Sequence, residues 1–148
     1  MPSRKIPRNH LHLTGLISSP KNPAQVAFES TLERDFYILL DFRDDVLRFE
    51  EQPVTLKYVD ATGVTRPYTP DTLVTFRPDP VSGETPPRWL VEVKDRDGIR
   101  RDWPAIKRKY RTARRYARER GWRYGFMTEK EIRTPFLDNA RFLRSYRR

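Results

Sequence analysis

Past Phe28 the apolar residues fall into a helical rhythm, with Leu32, Phe36, Leu39 and Leu40 three and four positions apart. Ser30 followed by Glu33 fits the S-x-x-E cap that opens such a helix. The rhythm then shortens. Val46–Phe49 and Val54–Val59 are β-type runs, and Asp60-Ala61-Thr62-Gly63 has the composition of a hairpin turn. Leu73–Phe76 predicts a further strand, reached through Tyr68-Thr69-Pro70-Asp71. Residues 77–87 carry Pro78, Pro80, Gly83, Pro86 and Pro87, which excludes a central strand there. In Trp89-Leu90-Val91-Glu92-Val93-Lys94 the two-residue period sets Leu90, Glu92 and Lys94 on one face, with Trp89, Val91 and Val93 on the other.

Helical spacing returns over Asp102 to Arg120, with the stripe Ile106, Tyr110, Ala113 and Ala117 and with Gly121 as the stop. Trp122–Met127 reads as a buried strand, and a last helix is expected over Thr134–Tyr146. Residues 1–27 are polar and basic, broken by Pro2, Pro7, Pro20 and Pro23, and are expected to form an arm. The expectation is an α/β protein with one domain over 28–148, a single sheet with helices on its faces.

Composition narrows the chemistry. The 148 residues include 30 Lys+Arg against 20 Asp+Glu, a formal charge of +10, which points to a polyanion such as nucleic acid. No cysteine is present, so disulfides, thiol nucleophiles and thiolate zinc sites are excluded. The two histidines, His10 and His12, sit in the arm, so a histidine-based triad or multi-His metal centre elsewhere is excluded as well. As an H-x-H pair they could ligate a metal, though such a pair in an arm is usually incidental. No apolar run is long enough to cross a bilayer, and the expected setting is cytoplasmic, in contact with the nucleoid.

Asp71 at the head of one strand and Glu92 within the next supply hard oxygen donors that converge if those strands pair, as magnesium requires. Lys94 shares the Glu92 face, where a cation can position water and offset charge building on a phosphodiester. Two metals about 3.5–4 Å apart would suit in-line displacement at phosphorus. The plainer alternatives are a Pro-Asp turn and a solvated strand with a cross-strand ion pair. Against them, the strand around Glu92 is apolar enough to be central, and charges there need partners or metals. Glu33 lies on the inward side of its helix and either closes the cap with Ser30 or joins a metal site. Glu29 competes for the same role, whereas Asp35, Asp41, Asp44 and Asp45 are expected to face water.

These residues form a pattern that resembles the PD-(D/E)xK nuclease superfamily, and within it the N-terminal catalytic domain of TnsA-like transposon-end endonucleases. The resemblance runs from about Phe28 to Tyr146. It rests on Phe28-Glu29-Ser30 with Glu33-Arg34-Asp35-Phe36, on Phe49-Glu50-Glu51-Gln52-Pro53-Val54, and on Tyr68-Thr69-Pro70-Asp71. Leu90-Val91-Glu92-Val93-Lys94 and Met127-Thr128-Glu129-Lys130-Glu131-Ile132 complete it. It implies a restriction-endonuclease-like core with a mixed central sheet flanked by helices. Glu33, Asp71 and Glu92 match the metal-holding acids, Lys94 the catalytic lysine, and the Val93 carbonyl a further ligand. The implied cofactor is Mg2+, two per site, with Mn2+ able to substitute. The implied activity is hydrolysis of the 5′-end strand at transposon ends, beside a TnsB-like transposase and under a TnsC-like ATPase. The chain stops at Arg148, where members often continue into a winged-helix-like domain; none is expected here, which leaves the TnsC-like partnership open.

Lys107, Arg108, Arg111, Arg114, Arg115 and Arg118 crowd the long helix, with Lys109 and Arg120 beside them and Arg141, Arg144 and Arg147 near the end. A charge run usually marks a solvated helix face, yet few acids stand one turn away to neutralise this one, which favours a DNA-binding surface. Trp103 and Trp122 read as packing residues. Two other functions stay open: a stand-alone PD-(D/E)xK phage or repair nuclease, and a non-catalytic basic nucleic-acid-binding protein. Whether the chain forms a homodimer is not legible.

Overall fold

A computed structural model describes residues 14–146. A short hairpin, β1 (Gly15–Ile17) with β2 (Val26–Phe28), leads into helix α1 (Thr31–Phe42). Then come β3 (Val46–Glu51), β4 (Leu56–Val59), β5 (Thr65–Tyr68), β6 (Thr72–Phe76) and β7 (Trp89–Val93). Helix α2 (Arg96–Glu119), β8 (Arg123–Met127) and helices α3 (Glu129–Ile132) and α4 (Pro135–Arg144) follow.

The main sheet has the order β3-β6-β7-β8, antiparallel except for the parallel β7–β8 pair that α2 connects. Alternation along its strands sends side chains to two layers. One face meets α1, α3 and α4 in a core built from Phe36, Leu40, Val46, Phe49, Val74, Val91, Ile132 and Leu137, with Trp89 and Val93 packed against it. Each large apolar side chain buried there contributes about 1.5–3 kcal/mol. The other face meets α2, where Tyr110 stacks on Phe126 at 5.7 Å and meets Tyr124 edge-on at 5.3 Å. Leu56, Tyr58, Tyr68 and Ala113 form a smaller core between α2 and the β4–β5 hairpin.

The mixed sheet flanked by helices agrees with the expected fold class, and the alternation of β7 agrees with the two-residue period. Several local expectations are corrected. The strands form three sheets rather than one, because β4–β5 leaves the main sheet to cover α2. Within the basic N-terminal stretch, residues 14–27 include strands of the domain, with Val26 fully buried, instead of arm alone. Helix α2 starts six residues before Asp102, since the Asp95 carboxylate caps it by accepting from the Gly98 N–H at 3.0 Å. Strand β8 is half-exposed rather than buried because it is an edge strand. The last helix agrees with expectation as α4, opened by Pro135 at its first turn, while the short α3 just before it was not anticipated.

Asp35 and Asp41 do not face water; they are 2% and 5% exposed. Asp41 accepts from the Ser19 hydroxyl at 2.5 Å, and Asp35 meets Arg133 at 3.2 Å and Arg34 at 3.5 Å. Ser19 and Arg133 come from distant segments, so helical spacing gave no sign of them, whereas Arg34 is the adjacent residue. Asp44 and Asp45 are exposed as expected.

Candidate active site

The sheet carries its acids at one end. Glu51 pairs with Thr72, and Thr72 pairs with Val91. One step further, the Gln52 N–H donates to the Asp71 carbonyl at 2.7 Å. Continuing the β6–β7 register by that same step sets Asp71 opposite Glu92. Gln52 holds φ at 46°, the one left-handed non-glycine among the described residues, and there β3 breaks off toward Pro53. Such a conformation costs about 1 kcal/mol.

Asp71 is 3% exposed, and its carboxylate accepts from the Val93 N–H at 2.7 Å. The first acid is thereby fixed against the strand segment that bears Glu92 and Lys94. The Lys94 N–H donates the other way, to the Met127 carbonyl at 3.1 Å. Backbone groups alternate along a strand, so the Val93 carbonyl projects toward the Asp71 side.

Glu92 is held by tyrosines. The Tyr68 hydroxyl donates to its carboxylate at 2.6 Å and shares a hydrogen bond with the Tyr124 hydroxyl at 2.9 Å. Burial first, and then the Glu92 charge, push both phenols far above their ordinary range, so they remain protonated donors. On the α1 side, Tyr37 shares a 3.0 Å hydrogen bond with Thr72, and its phenol is raised by burial and then by the charges of Asp71 and Glu33. Asp71 thus acts electrostatically on both faces of the sheet, on Tyr37 and on Tyr124.

Glu33 is buried near this end of α1. Ser30 caps the helix through the Glu33 N–H, as the S-x-x-E spacing implied, while the Glu33 carboxylate accepts from the Glu29 N–H at 2.7 Å. Lys94 is half-buried, with its ammonium 3.3 Å from Asp102 of α2. Among the described residues no group of three or more His, Asp or Glu side chains gathers closely enough to hold a metal. The donor set of Asp71, Glu92 and the Val93 carbonyl nevertheless suits magnesium, which takes hard oxygens, often from one or two carboxylates, and retains waters.

The expected DNA-binding residues divide. Arg108, Arg111 and Arg115 line a groove of about 290 Å³ with Lys57, Tyr58, Val59 and Thr112. Arg114 and Arg118 are exposed and Lys107 is half-buried, outside that lining. His10, His12 and Arg147 lie outside the described residues. Trp103 and Trp122 pack on Tyr110 and Tyr116, as expected of packing residues.

Spacing did not single out Tyr37, Tyr68, Tyr124 or Glu51, whose carboxylate accepts from the Ala27 N–H at 3.0 Å. Tyr68 stood three residues before Asp71 and Glu51 inside the E-E-Q-P block, yet their partners come from other strands.

The mixed sheet with its flanking helices is consistent with a restriction-endonuclease-like fold. A family model described as TnsA-like endonuclease N terminal matches residues 43–129, more than half of the chain. The chain belongs to that family of endonucleases. Asp71, Glu92, Val93 and Lys94 fall within the match and Glu33 precedes it. Among curated proteins no match was found. No helix among the described residues is long and apolar enough to cross a membrane.

Proposed function

We propose that the chain is a Mg2+-dependent DNA endonuclease that hydrolyses a phosphodiester on the 5′-end strand at transposon ends, leaving a 5′-phosphate and a 3′-hydroxyl. The observation that carries this reading is the hydrogen bond from the Val93 N–H to Asp71, which anchors one acid beside the Glu92–Lys94 strand. Asp71, Glu92 and the Val93 carbonyl would hold the metal, with Glu33 adding negative charge from α1. Bound there, magnesium would supply a Lewis acid toward the phosphate and lower the pKa of water.

The chain's own groups do the rest. Tyr68 orients the Glu92 carboxylate and keeps it from turning away. Lys94 offers a positive charge to the phosphoryl oxygens; to do so it exchanges Asp102 for substrate, a small cost for a pair that is partly open to water. A TnsB-like transposase would act on the other strand and a TnsC-like ATPase would regulate the pair.

Plasmid nicking with Mg2+ or Mn2+ tests the assignment. Asp71→Ala and Lys94→Ala should each reduce the rate by roughly 100-fold or more, the scale of losing a charge-stabilising group. Parent-like nicking by both variants would exclude it.

A further inference from the structure

Resting on the nuclease reading, we infer that the groove between α2 and the β4–β5 hairpin is the track for the DNA backbone, and that one helical stripe, not the whole basic helix, carries the affinity. Arg108, Arg111, Thr112 and Arg115 stand at i, i+3, i+4 and i+7 along α2, and Lys57 of β4 faces them across about 290 Å³. The lining is Lys57, Tyr58, Val59, Arg108, Arg111, Thr112 and Arg115, which brings four cations and no carboxylate to one concave surface. At 1.5 Å per residue the stripe spans about 10 Å, close to three base-pair rises of 3.4 Å. Its arginines are exposed, so they reach phosphates without giving up a buried partner.

The groove also leads to the site. The Lys109 ammonium sits 5.8 Å from the centre of the Tyr58 ring and 5.7 Å from that of Tyr68. Tyr58 lines the groove, whereas the Tyr68 hydroxyl ends on Glu92. A strand whose phosphate lies at Asp71 and Glu92 can continue past this shared wall along the arginine stripe. The hairpin, which spacing presented only as sheet, becomes one bank of the track. The opposite bank is α2, and Ala113 in the small core holds the two together.

The test compares two triple variants of the full chain, each removing three positive charges. Lys57→Gln/Arg111→Gln/Arg115→Gln removes three of the four groove cations and leaves Arg108. Arg48→Gln/Arg77→Gln/Lys130→Gln removes exposed charges elsewhere. Binding of a fluorescent DNA duplex is measured by anisotropy in EDTA, so that no cleavage enters, over a series of salt concentrations. The groove variant should bind at least 10-fold more weakly, with its log–log salt slope reduced by about 2–3. The control should stay within about twofold. Equal losses in the two variants, or parent-like binding by the groove variant, would overturn the track. If the parent shows no nicking while the groove variant alone loses binding, the nuclease reading fails and the track stands.

Discussion

The Asp71 carboxylate accepts the Val93 N–H at 2.7 Å, and so ties the head of β6 to the segment of β7 between Glu92 and Lys94. This contact is structural and chemical at once. It gives a nearly buried acid a charge-assisted partner, and it sets that acid beside a second acid and a lysine.

The two roles separate by substitution. Asp71→Asn keeps an oxygen to accept from Val93 and should fold within about 1 kcal/mol of the parent, yet lose nicking. Asp71→Ala also leaves the Val93 N–H without its acceptor and should cost about 1–3 kcal/mol in urea denaturation. Equal stability losses in both variants would count against the hydrogen bond.

Tyr68→Phe removes the donor that orients Glu92. Metal-site supports of this kind change affinity by about 10- to 100-fold. The Mg2+ concentration for half-maximal nicking should therefore rise at least 10-fold, while the rate at saturating Mg2+ stays within a few-fold. A purely structural tyrosine would lower the saturated rate instead.

Asp35 joins α1 to the C-terminal helices through Arg133 at 3.2 Å and Arg141 at 3.9 Å, with Arg34 beside it. Its arginine partners are exposed or partly so and can return to water, so Asp35→Ala should cost about 1–3 kcal/mol rather than the larger penalty of a buried orphan charge. Urea titration measures this. A change below about 0.5 kcal/mol would mean the ties contribute nothing.

The tip of the β4–β5 hairpin is held by Asp60, which accepts from the Thr62 hydroxyl, from Arg66, and from the Val64 and Thr62 N–H groups. These bonds, the Thr62 hydroxyl foremost, hold its carboxyl well below the usual carboxylate range. A depressed acid stabilises the fold above its unfolded pKa of about 3.9 and loses that contribution as pH falls through the lower folded value. The amide NMR signals of Thr62 and Val64 should hold their turn shifts from pH 7 to 4 and lose them only in stronger acid. Asp60→Asn should abolish that acid transition; its persistence would place the titrating group elsewhere.

The nuclease motifs were legible because they are local. Pro70-Asp71 and Glu92-Val93-Lys94 could be picked out as candidates from spacing, and the period of two correctly put Glu92 opposite the core face of Val91. The Ser30 cap was legible for the same reason. Partners separated by many residues were not. Tyr68 and Glu92 are 24 residues apart, and Asp35 and Arg133 are 98 apart. Spacing read Asp35 as solvated because the neighbours that bury it belong to α3 and α4.

By itself, the sequence determined the apolar rhythm that makes a mixed α/β core, the acid and lysine types, and the density of arginines on α2. Tertiary structure decided which of these meet. Strand register brought Asp71 to β7, the departure of β4–β5 from the main sheet supplied Tyr68 to Glu92, and the same hairpin selected Arg108, Arg111 and Arg115 from a uniformly basic helix. Periodicity assigns a residue to a face; only packing decides what that face meets.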